Sequence, residues 1–206
     1  MLRWLLLISL ICTGAGGLYH KAFHPGLDSK PLNNAGIFLF PTPRALPNVQ
    51  IKSLNNQPFD ATFLSGRWTL VLFGYTFCPD ICPTALSDLR KIKAALPAPA
   101  GTALRVVMVS VDPQRDSAQA MQRYATWFDP TFIGMTGEPE QLRQASITLG
   151  LPFVPPPAGE TDYIVAHSAN LALIDPVGRH LGFVRGPLKV NELIQALPDL
   201  LMSQRY

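Results

Sequence analysis

Charge is what this sequence has least of: Asp, Glu, Lys and Arg together make up 15% of it, and the net charge is +3. Its Lys and Arg are scattered, which argues against a nucleic-acid face, since such a face needs a concentrated basic patch. Internal repeats and low-complexity tracts are lacking too, and 206 residues leave no room for a second full domain. Cysteine is scarce, at positions 12, 78 and 82 only. What is plentiful is apolar residues, 48% of the chain, enough for one good-sized core. The 20 prolines sit mostly at segment edges and in two loops, which punctuates a folded domain and does not make a disordered one.

The N-terminus opens with Arg3 and an uncharged stretch from Trp4 to Tyr19. As helix this stretch spans roughly 24 Å, slightly less than a hydrocarbon core of ~30 Å. Residues 1–19 therefore read as a short signal-anchor or a signal peptide, with Ala15-Gly16-Gly17 as a small-residue cleavage site. Ile11 is too bulky to precede a lipidated Cys12. Either reading exports the rest of the chain to a compartment where cysteine pairs can oxidise. Residues 20–42, rich in Pro, Gly and Asn, are expected to form a tether, with "IFLF" at 37–40 resting on the domain surface. The domain itself is expected over 43–206.

From Pro47 onward the pattern is regular. "NVQIKSL" alternates as an edge strand does, whereas "TLVLFGY" (69–75) and "LRVVMVSVD" (104–112) are continuous apolar runs suited to buried parallel strands. "PTALSDLRKIKAAL" sets Leu86, Leu89, Ile92 and Leu96 on one helical face. Further helices are expected over 117–128 and in "EPEQLRQASITLG", which Gly150 stops. Short strands are expected at "TFIGM" and "YIVAH", a hairpin at "LALID" and "HLGFVR", and a last helix at "KVNELIQAL". Strands alternating with helices predict one mixed α/β sheet with helices on both faces and the hairpin as an antiparallel edge.

Cys78 and Cys82 fall between a buried strand and a helix, with Pro83 suited to the first helical position and Cys82 to the N-cap. A helix N-terminus stabilises thiolate, the form that attacks disulfides and binds soft metals. A disulfide closing so short a loop restrains little of the unfolded chain, so a purely structural pair is disfavoured. The spacing leaves redox and metal roles open.

"FGYTFCPDICPTAL", "VSVDPQRDS" and "DYIVAHSANLALIDPVGR" together resemble the Sco/SenC family of thioredoxin-like copper proteins, in the family's order. The resemblance implies a thioredoxin-like fold and a copper site made by Cys78, Cys82 and His167. It also implies a metallochaperone that delivers copper to the dinuclear centre of cytochrome c oxidase. Its partner would be the copper-receiving subunit or another copper chaperone. The place implied is the periplasmic side of a bacterial inner membrane, held through the N-terminal segment or released from it. Two sulfurs and one imidazole suit copper(I) as a three-coordinate site and can be completed for copper(II), whereas structural zinc wants a fourth protein ligand. The second function consistent with the same sulfurs is a thiol-disulfide oxidoreductase that cycles a Cys78–Cys82 disulfide and reduces partner cysteines before metallation.

The chain departs from the family at Ala166, where an acidic residue is common and could orient the imidazole. Asp112 and Asp116 match the family's acidic loop, yet read more readily as caps for the helix at Ser117 than as metal contacts. His20 and His24 read as solvated tether residues and His180 as an ordinary turn residue. Met108, Met121 and Met135 read as core.

Overall fold

The computed structural model describes residues 29–155, 159–160 and 162–203. The signal or anchor reading of 1–19, Cys12, His20 and His24 therefore lie outside the described residues. Among the described residues no helix is long and apolar enough to cross a membrane.

The centre is β3 (Trp68–Gly74), seven residues buried on both faces, as its unbroken apolar run requires. It pairs residue for residue with the parallel β4 (Leu104–Ser110), which pairs in turn with the parallel β5 (Ile133–Gly137). On the other side of β3 lies the hairpin of β6 (Leu171–Ile174) and β7 (His180–Val184), antiparallel to it. The far edge is β2 (Ile51–Ser53), antiparallel to β5. The sheet has seven strands, which with β1 (Ile37–Arg44) at the near edge run in the order β1-β7-β6-β3-β4-β5-β2.

The seventh strand corrects the expected tether. α1 (Ser29–Asn34) buries Leu32, and β1 (Ile37–Arg44) runs antiparallel to β7, with Phe38 stacked on Phe183 at 5.2 Å between ring centroids. Residues 29–34 and 37–42, expected as part of a tether, thus pack with the domain. Pro41 and Pro43 disguise the strand, but an edge strand tolerates proline because one side of its backbone has no partner.

Helices cover both faces. The register puts Leu72, Met108 and Gly134 on one face of the sheet, together with Gly74. α3 (Ile81–Ala95) and α5 (Ala118–Phe128) lie on this face. A Cβ at Gly74 would stand 2.4 Å from Cys82 Sγ, and one at Gly134 would stand 2.3 Å from the main chain of Met121. α7 (Val190–Leu201) packs against α3, and the Trp68 indole N–H donates to the Leu201 carbonyl at 3.1 Å. On the opposite face Arg105 lies over the ring of Phe63 in α2 (Ala61–Leu64). Between β4 and α3 runs the short α4 (Ala98–Ala103, after Pro97), and α6 (Pro139–Thr148) packs on β5. Met108, Met121 and Met135 are fully buried core residues, as expected.

Candidate metal centre

β3 delivers the chain to the carboxyl edge of the parallel strands, where a tight turn, closed by Cys78 N–H donating to the Tyr75 carbonyl at 3.2 Å, leads into α3. Cys82 is the second residue of α3, not its cap; Asp80 holds the cap position without a side-chain capping bond. One of the free N–H groups of that first turn, Cys82 N–H, donates to Cys78 Sγ at 3.4 Å. Both cysteines are free thiols and both are buried.

Donation from the Cys82 thiol holds the Cys78 thiol down to about 5, with the amides of Asp80 and Cys82 assisting and burial opposing. Cys82 is pushed up, because it is the donor to Cys78 and is more deeply buried. Their mutual interaction thus favours thiolate at Cys78 over thiolate at Cys82.

His167 arrives from the other end of the chain. Its Nε2 stands 3.1 Å from Cys82 Sγ and 3.9 Å from Cys78 Sγ. Its Nδ1 lies 2.7 Å from the Val165 carbonyl, to which it donates, leaving Nε2 with its lone pair towards the sulfurs. The ring edge rests on Tyr75 at 5.5 Å between centroids. This carbonyl supplies the orientation for which the sequence reading had looked to an acidic residue at position 166. Ala166 itself is exposed.

The donor atoms of Cys78, Cys82 and His167 all lie within 4.8 Å of one another, and no other His, Cys, Asp or Glu among the described residues joins the group. Two metal–sulfur bonds of about 2.3 Å at a trigonal angle span about 4 Å, so the set closes on one ion with little movement. Two soft sulfurs and one imidazole without a fourth protein ligand match copper(I) better than structural zinc.

Tyr163–His167 is not the expected strand. It is irregular chain held by one bridge between Phe153 and His167, which frees it to aim the histidine. Asp112 and Asp116 are neither caps nor members of the donor group. Ser117 caps α5 with its own hydroxyl, accepting from Ala120 N–H. Asp116 accepts from Thr76 Oγ1 at 2.6 Å and Ser110 Oγ at 2.8 Å, pinning the start of the cysteine turn, and Asp112 accepts from Tyr163 Oη at 2.8 Å. His180 is the first residue of β7, buried, with Nε2–H donating to the Gly182 carbonyl at 2.9 Å. Sequence reasoning missed Tyr75, Thr76, Arg115 and Tyr163. The signal available was a rare charge, Arg115, between two aspartates in a block already singled out.

Fold and site together define a thioredoxin-like domain with a Cys-Cys-His donor group, able to hold a metal ion, at the carboxyl edge of its parallel strands. The SCO1/SenC family profile matches residues 49–202. The chain belongs to this family. A protein of Stutzerimonas stutzeri, named provisionally as copper-binding, is 41% identical over 98% of this chain and 96% of its own. The solution structures of apo Sco1 from Thermus thermophilus superpose with a TM-score of 0.71, at 29% identity over 80% of this chain and 96% of that one. Yeast Sco1 with copper bound superposes with a TM-score of 0.70, at 26% identity over 78% of this chain and 90% of that one.

Proposed function

We propose that this protein is a metallochaperone: it takes up copper through Cys78, Cys82 and His167 and hands it to the copper-receiving subunit as cytochrome c oxidase is assembled. The observation that carries this reading is the convergence of Nε2 of His167 on both sulfurs, since exchange of a disulfide has no use for a third donor. Membership of a family that includes a copper-bound structure supports it. Copper is cargo here, so the site has to release as well as bind. Cys78 and Cys82 supply most of the hold on a soft ion, and His167, the half-buried member of the set, is the donor an incoming ligand displaces most easily. The reduced dithiol is the binding form; a Cys78–Cys82 disulfide would take its bonding electrons away from the metal and should bind no copper. Export behind residues 1–19, to the periplasmic side of a bacterial inner membrane, belongs to the same proposal.

The low-lying thiol of Cys78 favours a second reading, thiol-disulfide exchange with partner cysteines before they take copper. His167→Ala separates the two. Copper affinity of the reduced protein should fall beyond the ~10–100-fold that loss of a group merely supporting a ligand costs, while disulfide formation and reduction persist. The deciding measurement is assembly of the oxidase copper centre in cells carrying His167→Ala. Loss of assembly with intact thiol exchange fits the chaperone. Normal assembly despite lost copper binding would leave the oxidoreductase standing.

A further inference from the structure

His167 sits on chain that no sheet ladder holds. From the end of α6 to the start of β6 the described residues contain no strand, and the bonds of Ala166 and Ser168 run to Val154 and Pro152, which are loop as well. What ties this segment to the framework lies on the other side. Val165 is buried, and its N–H donates to Tyr75 Oη at 3.3 Å. Two residues earlier, Tyr163 is gripped by the 112–116 loop. The Arg115 guanidinium lies 3.7 Å over the Tyr163 ring and donates to the Tyr163 carbonyl at 3.2 Å, while its Nε donates to Asp112. The other oxygen of Asp112 receives the Tyr163 hydroxyl, so ring, carbonyl and hydroxyl of one tyrosine are all engaged.

The same guanidinium lies 5.0 Å from the Phe77 ring and 5.5 Å from the Tyr75 ring, the residues that flank Thr76 in the cysteine turn. Next to it, Asp116 pins Thr76. One five-residue loop thus holds the turn that leads from β3 through Cys78 into α3 and the segment bearing the imidazole, and Arg115 is the side chain of that loop that touches both.

We infer that Arg115 is a positioning residue: it fastens the His167-bearing segment to the cysteine turn, so that the imidazole stays within reach of the metal. The inference rests on the copper-binding reading above. It needs arginine in particular. A planar guanidinium can stack on an aromatic face while its edge donates to a carboxylate and a carbonyl; a lysine ammonium keeps the charge but cannot do all three. An ordinary alternative is that Arg115 only neutralises the buried Asp112. In that case its loss would loosen the domain without acting through His167.

The test is a double-mutant cycle on the full chain, read as copper(I) affinity by competition with a chromophoric chelator. Arg115→Met should weaken binding by ~10–100-fold, the loss usual for a group that orients a ligand. In a His167→Ala background the same substitution should change affinity by less than about threefold, because the donor it positions is already gone. Arg115→Lys should fall between wild type and Arg115→Met. The second readout needs no metal: amide hydrogen exchange at residues 163–167 of the reduced protein should accelerate in Arg115→Met, while the interior of β3 keeps its protection. Equal losses with and without His167, or unchanged exchange at 163–167, would overturn the inference. If Arg115→Met does not fold, Tyr163→Phe, which removes only the hydroxyl bond to Asp112, must show the same non-additivity with a smaller amplitude. A wild-type protein that takes no copper would refute the copper reading, and the exchange measurement would then decide the clamp by itself.

Discussion

Gly74 is the position where adding one carbon atom should be most costly to the site. It ends β3, and the space its side chain would fill is occupied by Cys82 Sγ, 2.4 Å away, and by the Met108 methyl, 3.0 Å away. Carbon and sulfur rest about 3.5–4.0 Å apart, so Gly74→Ala demands that the sulfur, the strand or the helix yield by more than about 1 Å. Met108 is flexible and can retreat. β3 cannot, since it is paired on both sides and buried on both faces. The displacement therefore falls on Cys82 and the first turn of α3. Overpacking of this kind costs about 1–3 kcal/mol, and it also displaces the sulfur that stands 3.1 Å from His167 Nε2. Urea unfolding of the reduced protein should show a loss within that range, and copper(I) affinity should fall together with it. Gly74→Ala/Cys82→Ala supplies the control: with the sulfur gone the methyl has room, so the added methyl should cost clearly less stability than it does beside an intact Cys82. A Gly74→Ala protein with wild-type stability and copper affinity would refute the reasoning.

Two further predictions concern the rest of the fold. Burial, with Arg44 nearby, holds His180 down to about 4 from an ordinary 6.5, so as pH falls the unfolded chain takes up this proton before the folded one does. The stabilisation is complete above pH 6.5 and is lost as pH drops towards 4, the loss by then reaching about 3 kcal/mol relative to His180→Gln; parallel stability-pH curves for the two proteins would show this wrong. A chain begun at Pro43 lacks α1 and most of β1, losing the burial of Leu32 and Ile37 at about 1.5–3 kcal/mol each and uncovering β7. It should show weakened cooperativity and bind hydrophobic dye where a chain begun before Ser29 does not, and equal melting of the two would argue that β1 is dispensable.

The parts of this structure legible from sequence are those whose physics is local. β3, β4 and the helices announce themselves through apolar runs and 3.6-residue periods, and the two cysteines through their place between strand and helix. His167 is different: its partner atoms lie 85 and 89 residues away, and no spacing rule measures that distance. Resemblance singled it out, and only the closed sheet shows what it faces. α1 and β1 escaped because six residues make too short a period to detect and because proline, read as a breaker, is tolerated at an edge. Asp112 and Asp116 were noticed for their place at the functional edge, but a one-dimensional reading could offer them only neighbouring amides. Their true partners, Thr76 and Tyr163, are contributed by loops that meet in three dimensions.

The long separation of His167 from the cysteines bears on the order of events in a newly made chain. Cys78 and Cys82 are neighbours from the moment they are synthesised, but the third donor follows more than eighty residues later and reaches them only as β6 docks against β3. On the copper-binding reading, an emerging or misfolded polypeptide offers a soft ion the neighbouring sulfurs of Cys78 and Cys82 without His167 beside them, and holds it less firmly than the finished domain does. On the same reading, full occupancy reports that this contact between segments 85 residues apart has formed, and the binding free energy in excess of the dithiol's own goes into it. The proposed ligand set in this way couples loading to folding: a molecule in which His167 has not reached the cysteines is also one that has not fully loaded.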